Sequence, residues 1–404
     1  LRCASCSTEI WQDFLGRTRA FCQNGEEHGA ISLPTSLTPL KKGVSFLLYV
    51  MKISSLFRGR AYVMGTDDRL KDDERFITEL FKKIDINISP QQVRLLICHN
   101  DYDDYEITDD QGRFLRVKIS FEKDSPFLKR ESNNLKSAQS PVCGYWLAAG
   151  NVKLGDDFSY LLCGFRPSET ARAVGRSILL SKHETLFDCY AQFQRTKPIK
   201  RHYKTVFKQD IDQGNLKSIL STEEKERVEA YTDYNTLQSL VLEFGKQASK
   251  SLPDISPENR KKCHGKLSPD SIFWGGADFY FDTLYNNSMG HPFVDFIELI
   301  LESGFSKDHE KNLLPVFCEH TGTELDMRLY LKIYNCLMRK KLVDLISAYI
   351  YEVYLFNSYR VNRILDIADT FSQCYERFRS IPLFEQNREF ILKTLTEPIL
   401  GVKA

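Results

Sequence analysis

Between Cys263 and Leu299 the chain groups two histidines, a lysine, three serines and several carboxylates in a pattern suited to phosphoryl chemistry. The loop reads Cys263-His264-Gly265-Lys266-Leu267-Ser268-Pro269-Asp270-Ser271-Ile272-Phe273-Trp274, followed by Phe279-Tyr280-Phe281-Asp282 and then Pro292-Phe293-Val294-Asp295. Moving a phosphoryl group needs a cation on the phosphates, ligands for magnesium, and a group that orients or deprotonates the acceptor hydroxyl. Asp282, at the end of an apolar run, can ligate a metal, and Ser271 can add its hydroxyl. Asp270 is a carboxylate inside the loop, a substitute ligand or base if the loop rearranges. Lys266 can bind phosphate but cannot accept a proton unless its pKa falls by several units.

The elements that must hold these residues follow from local signals. Gly265 permits an unusual backbone angle, Pro269-Asp270 makes a turn, and Ile272 to Trp274 and Phe279 to Phe281 form a hairpin around Gly275-Gly276. Asp295 opens a helix. A plainer alternative is a solvated His-Gly turn before an ordinary hairpin. Upstream, Gln92 to His99, Tyr105 to Thr108 and Phe114 to Phe121 read as an antiparallel meander, rich in β-branched and aromatic residues and divided by Asp-rich turns. Lys118 sits on the third strand between Val117 and Ile119, and Glu131 lies thirteen residues further on, in a helical stretch. A lysine alternating with apolar residues also fits an outward-facing strand position.

In order and spacing these motifs resemble the aminoglycoside phosphotransferase and choline kinase family. That family's loop reads His-Gly-Asp, four residues, then Asn, with a metal-binding Asp on the next hairpin. The resemblance implies an α+β, two-lobed protein-kinase-like fold, with a small antiparallel β-sheet lobe and a larger, mainly helical lobe. It implies ATP and Mg2+ as cofactors, with Lys118 on the α- and β-phosphates and Glu131 holding that lysine. It puts the adenine edge against the backbone of Leu162, Cys163 and Gly164, with the large lobe beginning at Pro167, and makes Asp282 the metal ligand. The sequence departs from the pattern at three places. Lys266 stands where the family has its catalytic Asp, and Ser271 where it has Asn. The first strand turn, Asn100-Asp101-Tyr102-Asp103-Asp104, has no glycine and three carboxylates. Held over a triphosphate, each carboxylate would repel by roughly 1 kcal/mol in high dielectric.

Two functions follow from the resemblance. One is a degenerate member, a pseudokinase that binds a nucleotide or a protein partner, in which Lys266 reaches Asp282 and neutralises it. The other is an active ATP-dependent phosphotransferase acting on a hydroxyl of a small-molecule acceptor such as a sugar, an aminoglycoside or a choline-like compound.

The whole chain sets wider bounds. At 404 residues it is long enough for two lobes, divided here into an extension over 1–63, a small lobe over 64–165 and a large lobe over 166–404. Lys and Arg number 55 against 54 Asp and Glu, so no basic field calls for a nucleic-acid partner. The one basic run, Arg195 to Lys204, reads as a solvated loop at a helix end. Eleven irregularly spaced cysteines read as reduced thiols of a cytoplasmic protein. Cys3, Cys6, Cys22 and His28 are weak zinc candidates by ligand type. Met51 and Met64 are candidate starts, and no run reaches the ~20 apolar residues of a membrane span. Helices are expected from Asp72, and over 170–193, 222–249, 295–303, 324–338 and 342–378, the last broken near Asn357 to Asn362. His264 is expected to support the loop without titrating, and His291 to be a turn residue.

Overall fold

The computed structural model describes residues 66–400 except 99–101, 121, 167, 214–219, 221, 230–231, 283 and 351–360. The extension over 1–63 and its zinc candidates lie outside the described residues. Helix α1 (Thr66–Lys83) precedes strands β1 (Pro90–Cys98), β2 (Asp103–Asp109) and β3 (Phe114–Ser120). Helix α2 (Pro126–Ala138), β4 (Tyr145–Leu154) and β5 (Asp156–Phe165) complete an antiparallel sheet of order β1-β2-β3-β5-β4.

Alternation along β3 decides what each face of this sheet does. Leu115, Val117 and Ile119 project to one face, where they meet Val93, Ile107 and the α1 residues Ile77, Leu80 and Phe81. The three- and four-residue spacing of those α1 residues makes the apolar stripe that covers a sheet. Arg116 and Lys118 therefore project to the opposite face, toward α2 and the helical part. There α2 buries Leu128, Glu131 and Leu135.

Beyond β5 come a two-residue strand β6 (Glu169–Thr170) and short helical turns over Ala171–Val174 and Ser177–Ser181, then α3 (His183–Gln194), α4 (Tyr203–Gln213) and α5 (Tyr234–Ser251). Two small sheets carry the loop: β7 (Lys261–Cys263) pairs with β10 (Ser288–Gly290), and β8 (Ile272–Trp274) pairs with β6 and β9 (Phe279–Phe281). The remainder is helical, with α6 (Phe293–Ser303), α7 (Lys307–Thr321), α8 (Met327–Ile350), α9 (Val361–Phe378) and α10 (Arg388–Leu400). Phe187, Phe193, Phe244, Phe296 and Phe317 are among the buried aromatic residues of this helical core.

Several expected boundaries move. The expected helix over 170–193 is three pieces, because Thr170 caps a first turn that ends at Gly175 with φ 110°. The expected break between 338 and 342 is absent: α8 runs through Arg339-Lys340-Lys341, since Lys340 pairs with Asp344 and Lys341 with Glu302. The expected break near Asn357 falls outside the described residues, apart from the start of α9 at Val361. Seven cysteines, Cys143, Cys163, Cys189, Cys263, Cys318, Cys336 and Cys374, are buried free thiols. Among the described residues no helix is long and apolar enough to cross a membrane.

Candidate functional site

Where the sheet face meets the loop, five charged side chains are buried together: Asp104, Arg116, Lys118, Glu131 and Asp282, each no more than 2% exposed. Lys118 Nζ donates to Glu131 Oε1 at 2.6 Å and to Asp282 Oδ1 at 3.1 Å. The fold thus brings Lys118, Glu131 and Asp282 together from β3, α2 and the end of β9.

Arg116 completes the cluster, and the sequence reading missed it. Its Nη1 lies 2.8 Å from Asp282 Oδ2, and Nε and Nη2 both donate to the Asp104 carboxylate. The guanidinium is stacked 4.4 Å over the Phe273 ring and 5.5 Å from Phe165, the geometry of a cation–π contact. Both oxygens of Asp282 are therefore engaged by cations, one by Lys118 and one by Arg116. The signal was in the sequence: Arg116 lies two residues before Lys118 on one strand, so both must share a face.

Asp104 corrects the reading of the first turn. Asp103 and Asp104 belong to β2 and are buried, and Asp104 faces inward onto Arg116 instead of outward over an anion. Three carboxylates meet two cations in this cluster. Burial pushes Glu131 up to about 7 and also raises Asp104. Burial alone would lower the Lys118 pKa, but Asp282 and Glu131 more than offset it and keep the ammonium charged.

The loop is held from behind by Asp295. Its carboxylate accepts from the backbone N–H of His264 at 2.5 Å, from that of Gly265 at 2.7 Å and from the Tyr190 hydroxyl at 2.5 Å. Burial nevertheless lifts this carboxyl to about 6. His264 donates Nε2–H to the Asp282 carbonyl at 2.6 Å, and burial holds its pKa down to about 4, so it is a neutral strut. Gly265 has φ +81°, and a Cβ there would come 2.4 Å from the Asn286 carbonyl oxygen.

The other expected site residues are placed differently. Ser271 Oγ bonds the carbonyls of Lys266 and Ser268, each at 3.0 Å, and accepts from Ser268 N at 2.9 Å, so its hydroxyl serves the loop. Asp270 pairs with Arg172 through both carboxylate oxygens. Lys266 is exposed, and its charge acts on Asp210 and Glu302. Arg116 supplies the counter-charge to Asp282 that the sequence reading assigned to Lys266. Leu162, Cys163 and Gly164 lie inside β5, in register with Val117, Arg116 and Leu115 on one side and Ala148, Trp146 and Tyr145 on the other. They therefore lie on an interior strand of the sheet, with a register irregularity between their β4 partners Trp146 and Ala148. The described residues contain no cluster of three or more His, Cys, Asp or Glu side chains arranged to hold a metal ion.

Comparison with solved structures places the architecture. A spectinomycin phosphotransferase in complex with ADP and spectinomycin superposes at TM-score 0.50 over 81% of this chain and 98% of its own, at 11% identity. An amicoumacin kinase in complex with AMP-PNP and Ca2+ superposes at 0.52 over 79% and 97%, at 13% identity. The fold is that of the aminoglycoside phosphotransferases. A thermostable mutant of an aminoglycoside phosphotransferase, in ternary complex with ADP and hygromycin B, agrees at 0.50 over 76% and 98%, with 11% identity. No protein-family model and no curated protein matches the sequence. At these identities the likeness carries the fold, and the chemistry has to be read from this chain's own side chains.

Proposed function

We propose that this chain is a degenerate member of the phosphotransferase fold, a pseudokinase that works by binding a partner or ligand instead of by magnesium-dependent phosphoryl transfer. The observation that carries this reading is the double engagement of Asp282 by Lys118 at 3.1 Å and Arg116 at 2.8 Å. Magnesium binding in kinase sites takes one or two carboxylates plus phosphate oxygens in near-octahedral geometry. Here the carboxylate in the metal position is neutralised by cations, and the hydroxyl in the second position is bonded within its own loop. The residues present do not fit a magnesium ion.

The remaining chemistry points the same way. Lys266, an ammonium where the resembling family has its base, cannot take a proton from an acceptor hydroxyl. Asp270 is paired with Arg172. Arg116, stacked on Phe273, spans the gap between the sheet and the β8 hairpin and ties the two together through Asp104 and Asp282. Opening that gap for a nucleotide base would require a buried ion-pair network to break.

The intact Lys118–Glu131 pair favours a second reading, an active phosphotransferase acting on a small-molecule hydroxyl such as that of a sugar, an aminoglycoside or a choline-like compound. It requires Arg116 to swing out when ATP and Mg2+ arrive. Calorimetric titration with ATP, with and without magnesium, separates the two. On the proposed reading the wild type shows no magnesium-dependent heat, and Asp104→Val/Arg116→Val gains at least tenfold in affinity for magnesium-ATP. Tight magnesium-dependent binding by the wild type with steady ATP consumption would establish the second reading instead.

A further inference from the structure

The basic run Arg195 to Lys204 was read from sequence as a solvated loop, yet its end helps to line a cavity of about 440 Å³ on the side of β10 and the start of α4. Its polar lining includes three cations, Lys204, Lys208 and Arg260, against a single carboxylate, Asp254, leaving an excess of two positive charges. Asp254 is taken by Lys204. Among the described residues neither Lys208 nor Arg260 forms an ion pair. Arg260 donates Nε to the Ile255 carbonyl at 2.9 Å and approaches His202 Nδ1 at 3.4 Å, which fixes the guanidinium plane at the cavity. Two unpaired cations beside one cavity favour an anionic occupant.

A second observation is independent of these surface charges. His291 lines the same cavity and is 5% exposed. Its Nδ1 accepts the backbone N–H of Phe293 at 3.3 Å, so the ring proton sits on Nε2. Burial holds the His291 pKa down to about 4, so that tautomer persists at neutral pH. That leaves Nε2–H as a neutral donor on a residue of the cavity wall. The opening turn of α4, where Lys204 and Thr205 line the cavity, adds the partial positive charge of a helix start. The other walls are apolar, with Leu252, Ile255, Val294 and Ile333.

We propose that this cavity binds a small organic oxyanion, a phosphate monoester or carboxylate on an apolar body, through Arg260, Lys208 and the Nε2–H of His291. The volume lies within the roughly 300–1,000 Å³ of small-molecule sites, and a few convergent polar groups in an apolar lining are what such sites use. The charge is opposite to that expected for an amine-rich acceptor. The site is separate from the Lys118–Asp282 cluster and does not depend on whether that cluster transfers phosphate.

The test is calorimetric titration of the full chain with phenyl phosphate, benzoate, inorganic phosphate and benzylammonium. Phenyl phosphate or benzoate should bind, inorganic phosphate more weakly than phenyl phosphate, and benzylammonium not at all. Whichever of phenyl phosphate and benzoate binds tighter identifies the head group. A charge-assisted hydrogen bond is worth enough that Arg260→Gln should weaken binding about tenfold or more. Lys208 is exposed, so Lys208→Gln keeps the fold and should weaken binding severalfold. Binding of benzylammonium, no binding of either organic anion, or equal affinity in wild type and both variants would overturn the assignment.

Discussion

Replacing Arg116 with leucine strands a buried carboxylate, and the size of the effect can be worked out from the contacts. Asp104 is 1% exposed and loses both of its arginine hydrogen bonds, with Lys118 left 4.0 Å away. Asp282 loses one of two cations but keeps Lys118 at 3.1 Å. Breaking a buried pair from one side costs about 3–5 kcal/mol, because the remaining charge has neither solvent nor partner. Against a typical stability of about 5–15 kcal/mol this is a large fraction. Removing both partners, in Asp104→Leu/Arg116→Leu, should bring stability back to within about 1 kcal/mol of wild type, since an apolar pair of similar volume is often neutral. The pH dependence has a definite sign. Without the arginine, the folded-state pKa of Asp104 rises further above its ordinary value of 3.8. A raised folded pKa means that the penalty of the single variant vanishes below about pH 4 and grows as pH rises through the folded pKa. Urea unfolding of wild type, single and double variants at several pH values measures all three terms. A single variant that loses less than about 1 kcal/mol at pH 7.5, or a double variant as damaged as the single, would refute the buried-network account.

Three further outcomes follow from the same geometry. Glu298, 8% exposed and without a hydrogen bond or ion pair among the described residues, is pushed by burial up to about 7. Its ionisation costs stability as pH rises from about 4.5 through 7, so Glu298→Gln should stabilise by about 2–3 kcal/mol at pH 8 and change little at pH 4.5, as read by denaturant melts. Asp295→Ala leaves the His264 and Gly265 N–H groups and the Tyr190 hydroxyl without their acceptor, and should cost about 3–5 kcal/mol in urea unfolding; a loss under about 1 kcal/mol would contradict its role as the loop's anchor. Gly265→Ala meets the Asn286 carbonyl oxygen at 2.4 Å with φ +81°, whereas Gly112→Ala at φ +72° meets nothing within 4 Å. The first should lose several kcal/mol and the second only about 1, and equal losses would mean that backbone angle, not the close approach, governs both.

What the sequence revealed of this site and what it hid have separate causes. Lys118, Glu131 and Asp282 could be brought together because each sits in a motif whose order along the chain resembles one known architecture. Arg116 and Asp104 belong to no such motif. Their meeting depends on strand register: Asp104 stands opposite Lys118 across β2 and β3, and Arg116 opposite Glu106, so the Arg116–Asp104 bond is diagonal across the ladder. Strand periodicity tells which face a residue takes, but the diagonal partner appears only in the assembled sheet. β4, carrying Gly150 and many half-exposed side chains, gives a weak strand signal, so the interior position of β5 in the sheet was not legible. In the helical part, Lys340 and Lys341 looked like a polar interruption because Asp344 and Glu302, the carboxylates that neutralise them, come from the next turn and from α6. Helix α7 was missed altogether, its pattern weakened by Pro315 although Ser306 caps it.

The central claim is that Asp282 is neutralised by Arg116 and Lys118 instead of serving magnesium. A crystal structure of the wild type grown with ATP and excess magnesium tests it most directly. The account predicts that the Asp282 carboxylate remains between Lys118 and Arg116, with Arg116 still stacked on Phe273 and no metal bound to Asp282. An ordered triphosphate against Lys118, magnesium on Asp282 and a displaced Arg116 would contradict it.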